Sequence, residues 1–260
     1  MSIVVSVKVY DGIVLGAYSQ AQILGKDAQG NVGVIKTYSN ARKLFQLGKF
    51  PMGVVVYGAA NIEKRSIENL LHEFNEKILK KEQSVREATN QLFSFFSAKH
   101  QQAFGGSPPA EQPILGALVA GYSKEQDLPE EWEFMLPRDS QPKEVRPIDQ
   151  FGASWRGITL PFNRLYLGLD HRIVDKLEKL GVSPEILSQI KGGIPTPIIF
   201  DSMPLQDALD FAKFIMNVTI NIAKVEPGSE SCGGPLDLAV IKHEGFNWVE
   251  QKPLDKLLSP

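Results

Sequence analysis

The chain begins with MSIVVSVKVYDGIVLGAYSQ, residues 1–20, and this stretch predicts where the fold starts. Residues 3–9 are rich in β-branched side chains, and residues 13–17 form a second apolar run. Asp11 and Gly12, which stand between the two runs, are a strong signal for a tight hairpin turn. We therefore expect a β-hairpin that enters a buried sheet at once, so that the first residues of the chain are held by that sheet.

Ser2 becomes the first residue if Met1 is removed, and such removal generally requires a small residue at position 2. A terminal serine carries a hydroxyl nucleophile and a free α-amine, whose ordinary pKa of ~8 suits a general base near neutral pH. In most chains that start this way, however, the serine is only a small residue with no catalytic part. The stretch on its own leaves both interpretations open.

Composition and charge exclude several classes of partner. The 260 residues can bury a large core, and 43% hydrophobic with 22% charged residues is ordinary for a globular protein. The formal net charge of -2 provides no basic excess that would hold phosphate backbones or anionic lipid. Partners of the nucleic acid and membrane classes are therefore not expected.

The cysteine and histidine content argues against a metal or disulfide framework. Cys232 is the single cysteine, which excludes an internal disulfide and a multi-cysteine zinc site, and the four histidines lack the spacing of metal ligands. No leader of secretory type stands at the start, and no run approaches the ~18 apolar residues of a membrane span. We expect a cytoplasmic protein that needs neither a cofactor nor a metal ion.

The order of the predicted elements favours two sheets between layers of helices. After the hairpin and a polar loop at 25–33, strands are expected at 34–38, 43–47, 53–58, 114–122, 132–136, 236–241 and 246–249. Helices are expected at 67–78, 85–96, 165–180, 184–190 and 205–222. Because the helices come in pairs between antiparallel strands, the fold class predicted is α+β, a four-layer α-β-β-α sandwich of two antiparallel sheets flanked by paired helices.

Four stretches occur in an order that is typical of one family: the opening hairpin, NARKLFQL at 40–47, a strand at 53–60 that runs into a helix, and SCGGPLDLAVI at 231–241. Together they resemble a proteasome β-type subunit of the N-terminal-nucleophile (Ntn) hydrolase superfamily, as a divergent member of bacterial type. The resemblance covers one domain, residues 1–258, with an insertion at 182–203. It implies a four-layer subunit that assembles into rings and a peptidase whose first mature residue attacks the peptide carbonyl.

Three residues match the catalytic positions of that family. Ser2 stands where the family has its terminal threonine, and Lys43 stands at the catalytic lysine, followed by Leu-Phe-Gln as the family pattern prefers. Gly58 stands where a glycine N–H would bind the oxyanion. The resemblance therefore implies that Ser2 is the nucleophile, that Lys43 stabilises it electrostatically and that Gly58 donates to the oxyanion. Without the resemblance, a lysine at the end of a strand would be interpreted as an ordinary solvated side chain.

The supporting positions depart from the family pattern. Tyr18 replaces an acidic residue that pairs with the lysine, Ser229 replaces an aspartate and Cys232 replaces a serine. Ser154, within GASWRG at 152–157, is the candidate for the remaining serine position; that segment is one residue too long for a G-x-S-x-G nucleophile elbow. The loss of acidic groups leaves the lysine without its expected charge partner.

Two functional hypotheses follow from the sequence. The first is an N-terminal serine peptidase that cleaves unfolded polypeptides through Ser2, as a homo-oligomeric ring served by an ATP-driven unfoldase. The second is a catalytically degenerate ring subunit that acts as a structural or binding module, which the substitutions at Tyr18 and Ser229 favour. Retention or removal of Met1 separates them, because an acylated α-nitrogen cannot act as the base.

Overall fold

Two five-stranded antiparallel sheets lie at the centre of the structure, a computed structural model that describes residues 3–26, 32–79, 83–193, 198–199, 202–226 and 233–252. The strands are β1 (Ile3–Val9), β2 (Gly12–Tyr18), β3 (Ala21–Lys26), β4 (Val32–Tyr38), β5 (Leu44–Gln46), β6 (Met52–Gly58), β7 (Asn61–Ile62), β8 (Arg65–Ser66), β9 (Leu115–Gly121), β10 (Glu130–Leu136), β11 (Lys143–Glu144), β12 (Gly152–Gly157), β13 (Leu236–Lys242) and β14 (Gly245–Glu250). The helices are α1 (Ile67–Lys77), α2 (Val85–Phe104), α3 (Leu160–Leu167), α4 (His171–Lys179), α5 (Pro184–Gly193) and α6 (Leu205–Val225).

The first sheet has the strand order β12-β1-β2-β13-β14, and the second has the order β11-β10-β9-β6-β5. The opening hairpin pairs as the sequence predicted, with Val9 opposite Gly12 and Val4 opposite Ala17. Two small ribbons, β3-β4 and β7-β8, stand apart from the main sheets. The first strand is thus an inner strand of a sheet, bordered on both sides.

Three apolar layers hold these elements together. Side chains alternate along each strand, so Val4 of β1 packs between the two sheets while Val5 and Val7 pack against α6. The outer face of the second sheet packs against α1 and α2 through residues such as Phe74 and Phe96. The result is helix, sheet, sheet, helix, which confirms the predicted four-layer α-β-β-α sandwich.

Serine caps stabilise the starts of the first two helices. Helices α1 and α2 begin at residues 67 and 85, as predicted. The Ser66 side chain accepts a hydrogen bond from the Asn69 N–H at the start of α1. Ser84 and Glu87 form a capping box at the start of α2, where each side chain binds the other residue's backbone N–H. These local signals explain why the sequence located α1 and α2 well.

The third helix is the clearest difference from the prediction, because residues 165–180 do not form one helix. Helix α3 ends at Gly168, which has a φ of +66°, and α4 starts after Asp170. The Asp170 carboxylate accepts hydrogen bonds from the N–H groups of Arg172 and Ile173. The apolar period continues across the break, so the period alone could not reveal it.

Five strands were also not predicted, namely β3, β12 and the two-residue strands β7, β8 and β11. Strand β3 covers residues 21–26, and its last two residues overlap the polar loop predicted at 25–33. Strand β12 covers the segment that contains Ser154. Helix α5 lies within residues 182–203, where the sequence predicted a short helix. None of the helices in the described ranges combines the length and the apolar content that a bilayer span requires.

Candidate active site

The described chain starts inside the first sheet. Ile3 is fully buried and lies opposite Gly157 of β12, while its neighbour Val4 lies opposite Ala17 of β2. The end of the sheet at which β1 begins is therefore the end at which β2 finishes. Ser2, the predicted nucleophile, precedes Ile3 and lies outside the described residues.

Lys43 connects the two sheets at that end. It directly precedes β5 in the second sheet, is only 6% exposed, and its backbone carbonyl accepts a hydrogen bond of 2.9 Å from the Val56 N–H. Its ammonium reaches across to the first sheet and donates to the backbone carbonyl of Gln20, two residues after β2 ends. The predicted catalytic lysine is thus a buried group at the edge where β1 begins.

Gly58 lies close to Lys43 at the end of β6. Its φ is +87°, and a Cβ there would lie 2.2 Å from the carbonyl oxygen of Ile114, so the position requires glycine. The next N–H, that of Ala59, already donates to Ile114 at 2.7 Å. Both Gly58 and Lys43 line a small cleft of about 20 Å³, together with Ala41, Arg42, Val56, Tyr57, Ala59, Ala60 and Ile67. The structure therefore brings two of the predicted site residues together.

Burial shifts the pKa values of two groups in this part of the structure. Burial raises the pKa of Tyr57 to about 12, so its hydroxyl stays neutral at physiological pH. Burial also lowers the pKa of Lys252, while the Asp237 carboxylate opposes that change. Both shifts show that these two side chains are largely shielded from water.

Tyr18 lies on the other face of its strand. Alternation along β2 places Ala17 between the sheets and directs the Tyr18 ring into the apolar cluster against α6. The Tyr18 hydroxyl donates to the side-chain carbonyl of Asn217 at 3.3 Å. The tyrosine that replaces the family's acidic residue is therefore engaged by α6.

Ser154 is part of a different group of side chains. It pairs with Ser6 across β12 and β1, three residues and thus about 10 Å along the strand from Ile3. The Arg146 guanidinium donates to its hydroxyl and also to Glu131, which accepts a second hydrogen bond from Ser6. The structure places Ser154 in this network between the sheets and not in the cleft with Lys43.

Ser229 and Cys232 lie outside the described residues, so their predicted supporting roles stay predictions. The chain is described again from Gly233, whose carbonyl accepts a hydrogen bond of 3.2 Å from the Gln20 N–H. The segment that follows Cys232 therefore meets the same residue that receives the Lys43 ammonium.

No pattern in the sequence indicates a second lysine at this place. Lys252 follows β14 in a stretch that resembles an ordinary polar tail, yet it is only 7% exposed. Its ammonium donates to Ser19 Oγ at 2.6 Å and to the Ala41 carbonyl at 2.8 Å, and it lies 2.9 Å from Asp237 Oδ2. Within the described ranges, His, Cys, Asp and Glu side chains do not gather in threes where a metal ion could bind.

Sequence comparison finds no match, since neither a family model nor a curated protein sequence matches this chain. Solved structures do match it over nearly the whole length. An Anbu (Gly-1) mutant from Hyphomicrobium sp. strain MC1 has 13% sequence identity and a TM-score of 0.59, covering 97% of this chain and 86% of that one.

A second match is the helical assembly of the Anbu complex from Pseudomonas aeruginosa. Its chain has 16% sequence identity and a TM-score of 0.58, covering 96% of this chain and 88% of that one. At such identities the likeness establishes the fold. The chain therefore has the fold of these Anbu subunits, which is the proteasome-like fold that the resemblance in its sequence predicted.

Proposed function

We propose that this protein is an N-terminal serine peptidase that cleaves peptide bonds through Ser2 once Met1 has been removed. The observation that carries the proposal is the Lys43 ammonium, which is buried and rests on Gln20 at the edge where β1 begins. Ser2 is bonded to Ile3, so its Cα lies about 3.8 Å from a residue that the sheet holds rigidly. A free terminal serine would therefore be presented to the cleft by a fixed strand.

In the proposed reaction, Ser2 Oγ attacks the carbonyl carbon of the scissile amide while the α-amine of the same residue accepts the hydroxyl proton. The tetrahedral intermediate carries its negative charge on the former carbonyl oxygen, where the Gly58 N–H would donate. Collapse breaks the C–N bond, and the proton passes from the α-amine to the leaving nitrogen. Water then attacks the acyl-enzyme in the same way and releases the carboxylate.

Lys43 contributes charge in this proposal. An ammonium close to the nucleophile favours the alkoxide character that develops in attack, and it disfavours a second positive charge on the α-amine. The amine would then be unprotonated, and so able to act as a base, at lower pH than an ordinary amine.

The setting of the activity belongs to the proposal as well. We propose a single domain over residues 1–258, in which residues 182–203 are an insertion, and a homo-oligomeric ring in the cytoplasm that takes unfolded polypeptide from an ATP-driven unfoldase. The Pseudomonas neighbour is described as a helical assembly, which supports association between copies of this fold. Mass photometry should give a particle several times heavier than the 28.8 kDa chain, whereas a monomer at micromolar concentration would contradict the assembly.

A second candidate is a catalytically degenerate subunit that serves as a structural or binding module. One observation favours it: Tyr18 is engaged by Asn217 of α6, so the position that carries an acidic partner in the resembling family supplies no carboxylate. In this case Lys43 would still be buried by the fold, but the protein would not hydrolyse peptides.

One experiment separates the two candidates. The intact mass of the purified protein should lack Met1, and a peptide epoxyketone, which reacts with both the hydroxyl and the free α-amine of a terminal residue, should add one equivalent at Ser2. The adduct should disappear in Ser2→Ala and persist in Ser107→Ala, which changes an exposed serine away from the cleft. Retention of Met1, or an unlabelled protein without Met1, would favour the degenerate subunit.

A further inference from the structure

The buried ammonium of Lys252, which follows β14, makes two hydrogen bonds and one ion pair. Lys252 donates to Ser19 Oγ at 2.6 Å and to the Ala41 carbonyl at 2.8 Å, and the Asp237 carboxylate lies at 2.9 Å. The Lys252 backbone N–H adds a further bond to Asp237 at 3.0 Å, which fixes the chain as well as the side chain.

The groups that accept from Lys252 belong to the segments that place Lys43. Ser19 follows β2 and precedes Gln20, the residue that receives the Lys43 ammonium. Ala41 lies two residues before Lys43, and its N–H donates to the Ser19 carbonyl at 2.7 Å. Lys252 thus binds both the segment after β2, which contains Ser19, and the segment before β5, which contains Ala41. These two segments meet in a junction, where they are already joined by the backbone hydrogen bond from Ala41 to Ser19.

The chain before β13 is packed into the same junction. A Cβ on Gly234, which has a φ of +87°, would lie 2.5 Å from the Ser39 carbonyl oxygen, so the two segments are in close contact. The Ser19 hydroxyl donates to the Pro235 carbonyl at 2.6 Å. A displacement of Ser19 would therefore be transmitted to the described chain that precedes β13, at Gly234 and Pro235.

Neither Ser19 nor Lys252 has the properties of a second catalytic pair. Ser19 is fully buried, and its proton is committed to the Pro235 carbonyl, so a substrate carbonyl could not reach its oxygen. Lys252 is held as an ion pair with Asp237 and cannot readily act as a base. A positional role is the one that this geometry permits.

We propose that Lys252 is a positioning residue of the candidate active site, which clamps Ser19 to Ala41 and thereby holds the Lys43 ammonium at Gln20. The inference rests on the proposed function, and it links the C-terminal part of the chain to chemistry at the N-terminal strand. It also explains how the site can be ordered although Tyr18 supplies no carboxylate. The ion pair between Lys252 and Asp237 orders the segments that contain Ser19 and Ala41.

The test measures inactivation by the peptide epoxyketone, separating the maximal rate of adduct formation from the affinity of the reversible complex. In Lys252→Arg the charge remains, but a planar guanidinium does not reproduce the three ammonium contacts. In the double variant Lys252→Met with Asp237→Leu, no unpaired buried charge is left, so the fold should survive. Both should lose about 100-fold in the maximal rate, the order expected for a misplacement near 1 Å, with affinity within twofold of the wild type.

The matched control is Lys213→Met. Lys213 also ties the end of β14 to the rest of the molecule, through Glu250, but it is partly exposed and touches neither Ser19 nor Ala41 in any contact described above. It should be labelled at the wild-type rate. An equal loss in Lys213→Met would mean that anchoring of the C-terminal part suffices, and this would overturn the role of Lys252.

The remaining outcomes are equally decisive. A wild-type maximal rate in Lys252→Arg or in the double variant, or a loss confined to affinity, overturns the positioning role while the proposed function stands. Absence of labelling in the wild-type protein overturns the proposed function, and the inference fails with it. A folded double variant with normal affinity and a slowed maximal rate supports both.

Discussion

At the scale of single residues, the position of Lys43 is the feature that separates this site from an ordinary strand end. A solvated lysine would keep its ammonium in water, yet Lys43 is only 6% exposed and donates to the backbone carbonyl of Gln20, which lies between β2 and β3. Such burial of a cation costs free energy unless the group is well bound. The chain has retained a lysine where an apolar residue would pack at lower cost, which is consistent with a chemical role.

Replacing this lysine should abolish activity without unfolding the protein. We expect Lys43→Ala to lose epoxyketone labelling at Ser2 and peptide hydrolysis, because the charge near the nucleophile is gone, while the circular dichroism spectrum is unchanged. Lys49→Met, which alters an exposed lysine a few residues away, should keep both activities. Normal turnover in Lys43→Ala would show that the site is wrongly assigned.

Gly58 yields a second residue-scale prediction. Its φ of +87° costs a residue with a Cβ about 1–2 kcal/mol, and the Cβ would also meet the Ile114 carbonyl at 2.2 Å. Gly58→Ala should therefore lower the free energy of unfolding by about 2 kcal/mol or more and impair labelling at Ser2. Gly106→Ala is the control, since open space surrounds that Cβ; urea denaturation that gave equal losses for the two variants would contradict the prediction.

At the scale of elements, helix α2 is stabilised by its own first turn. The Ser84 hydroxyl accepts from the Glu87 N–H at 3.2 Å, and the Glu87 carboxylate accepts from the Ser84 N–H at 3.0 Å. These bonds satisfy N–H groups that a helix start otherwise leaves without an intrahelical partner. Because α2 packs against the second sheet through Leu92 and Phe96, its stability bears on the layer that carries Gly58.

We expect Ser84→Ala to lower the free energy of unfolding by about 1 kcal/mol, the usual value of an N-cap. The Ser84 backbone N–H, and after it the Ser84 hydroxyl, lower the pKa of Glu87 in the folded state. A lowered folded pKa means that the unfolded chain binds more protons, so this contribution is present above the unfolded pKa of roughly 4.3 and is lost as the pH falls through the folded pKa. Ser84→Ala leaves the Ser84 backbone N–H in place, so Glu87→Ala is the variant that tests the carboxylate. Denaturation at pH 7 and at pH 3 should show a smaller difference between wild type and Glu87→Ala at the lower pH; an unchanged difference would contradict the capping box.

At the scale of the whole molecule, a buried ionic network joins the two sheets. Glu131 of the second sheet is fully buried and accepts from Ser6 of the first sheet and from Arg146. Lys8, also fully buried, donates to the Ile148 carbonyl at 2.7 Å; burial lowers the pKa of Lys8, while the Glu131 carboxylate opposes that change. The carboxylate thus compensates two cations inside the sandwich.

Removing that carboxylate should be costly for the whole fold. Glu131→Leu leaves the buried cations without their counterion, and we expect a loss of about 3–5 kcal/mol in the free energy of unfolding. Glu133→Leu is the matched control, because Glu133 lies on the same strand and pairs with Arg156 at 2.9 Å but is partly exposed. It should cost less than about 1 kcal/mol in urea denaturation, and similar losses for the two variants would refute the compensating role of Glu131.

The sequence by itself determined the elements and the layers. Alternation in β1 and β2, the Asp11-Gly12 turn and the helical periods of α1, α2 and α6 are local patterns, and each follows from geometry within a few residues. They were sufficient for the four-layer sandwich. The choice of Lys43 and Gly58, which the structure places in one cleft, came instead from the resemblance of the sequence to the proteasome β-type family.

Only the tertiary structure decided which side chains meet around that cleft. Lys252 reaches Ser19 across 233 residues, and Ser154 accepts a hydrogen bond from Arg146, which follows β11, so neither contact can be inferred from strand alternation or helical period. The break at Gly168 was hidden for a related reason, because the apolar period runs on while Asp170 starts a new helix. Local spacing sets what each segment forms, whereas packing between distant segments sets which polar groups are buried together.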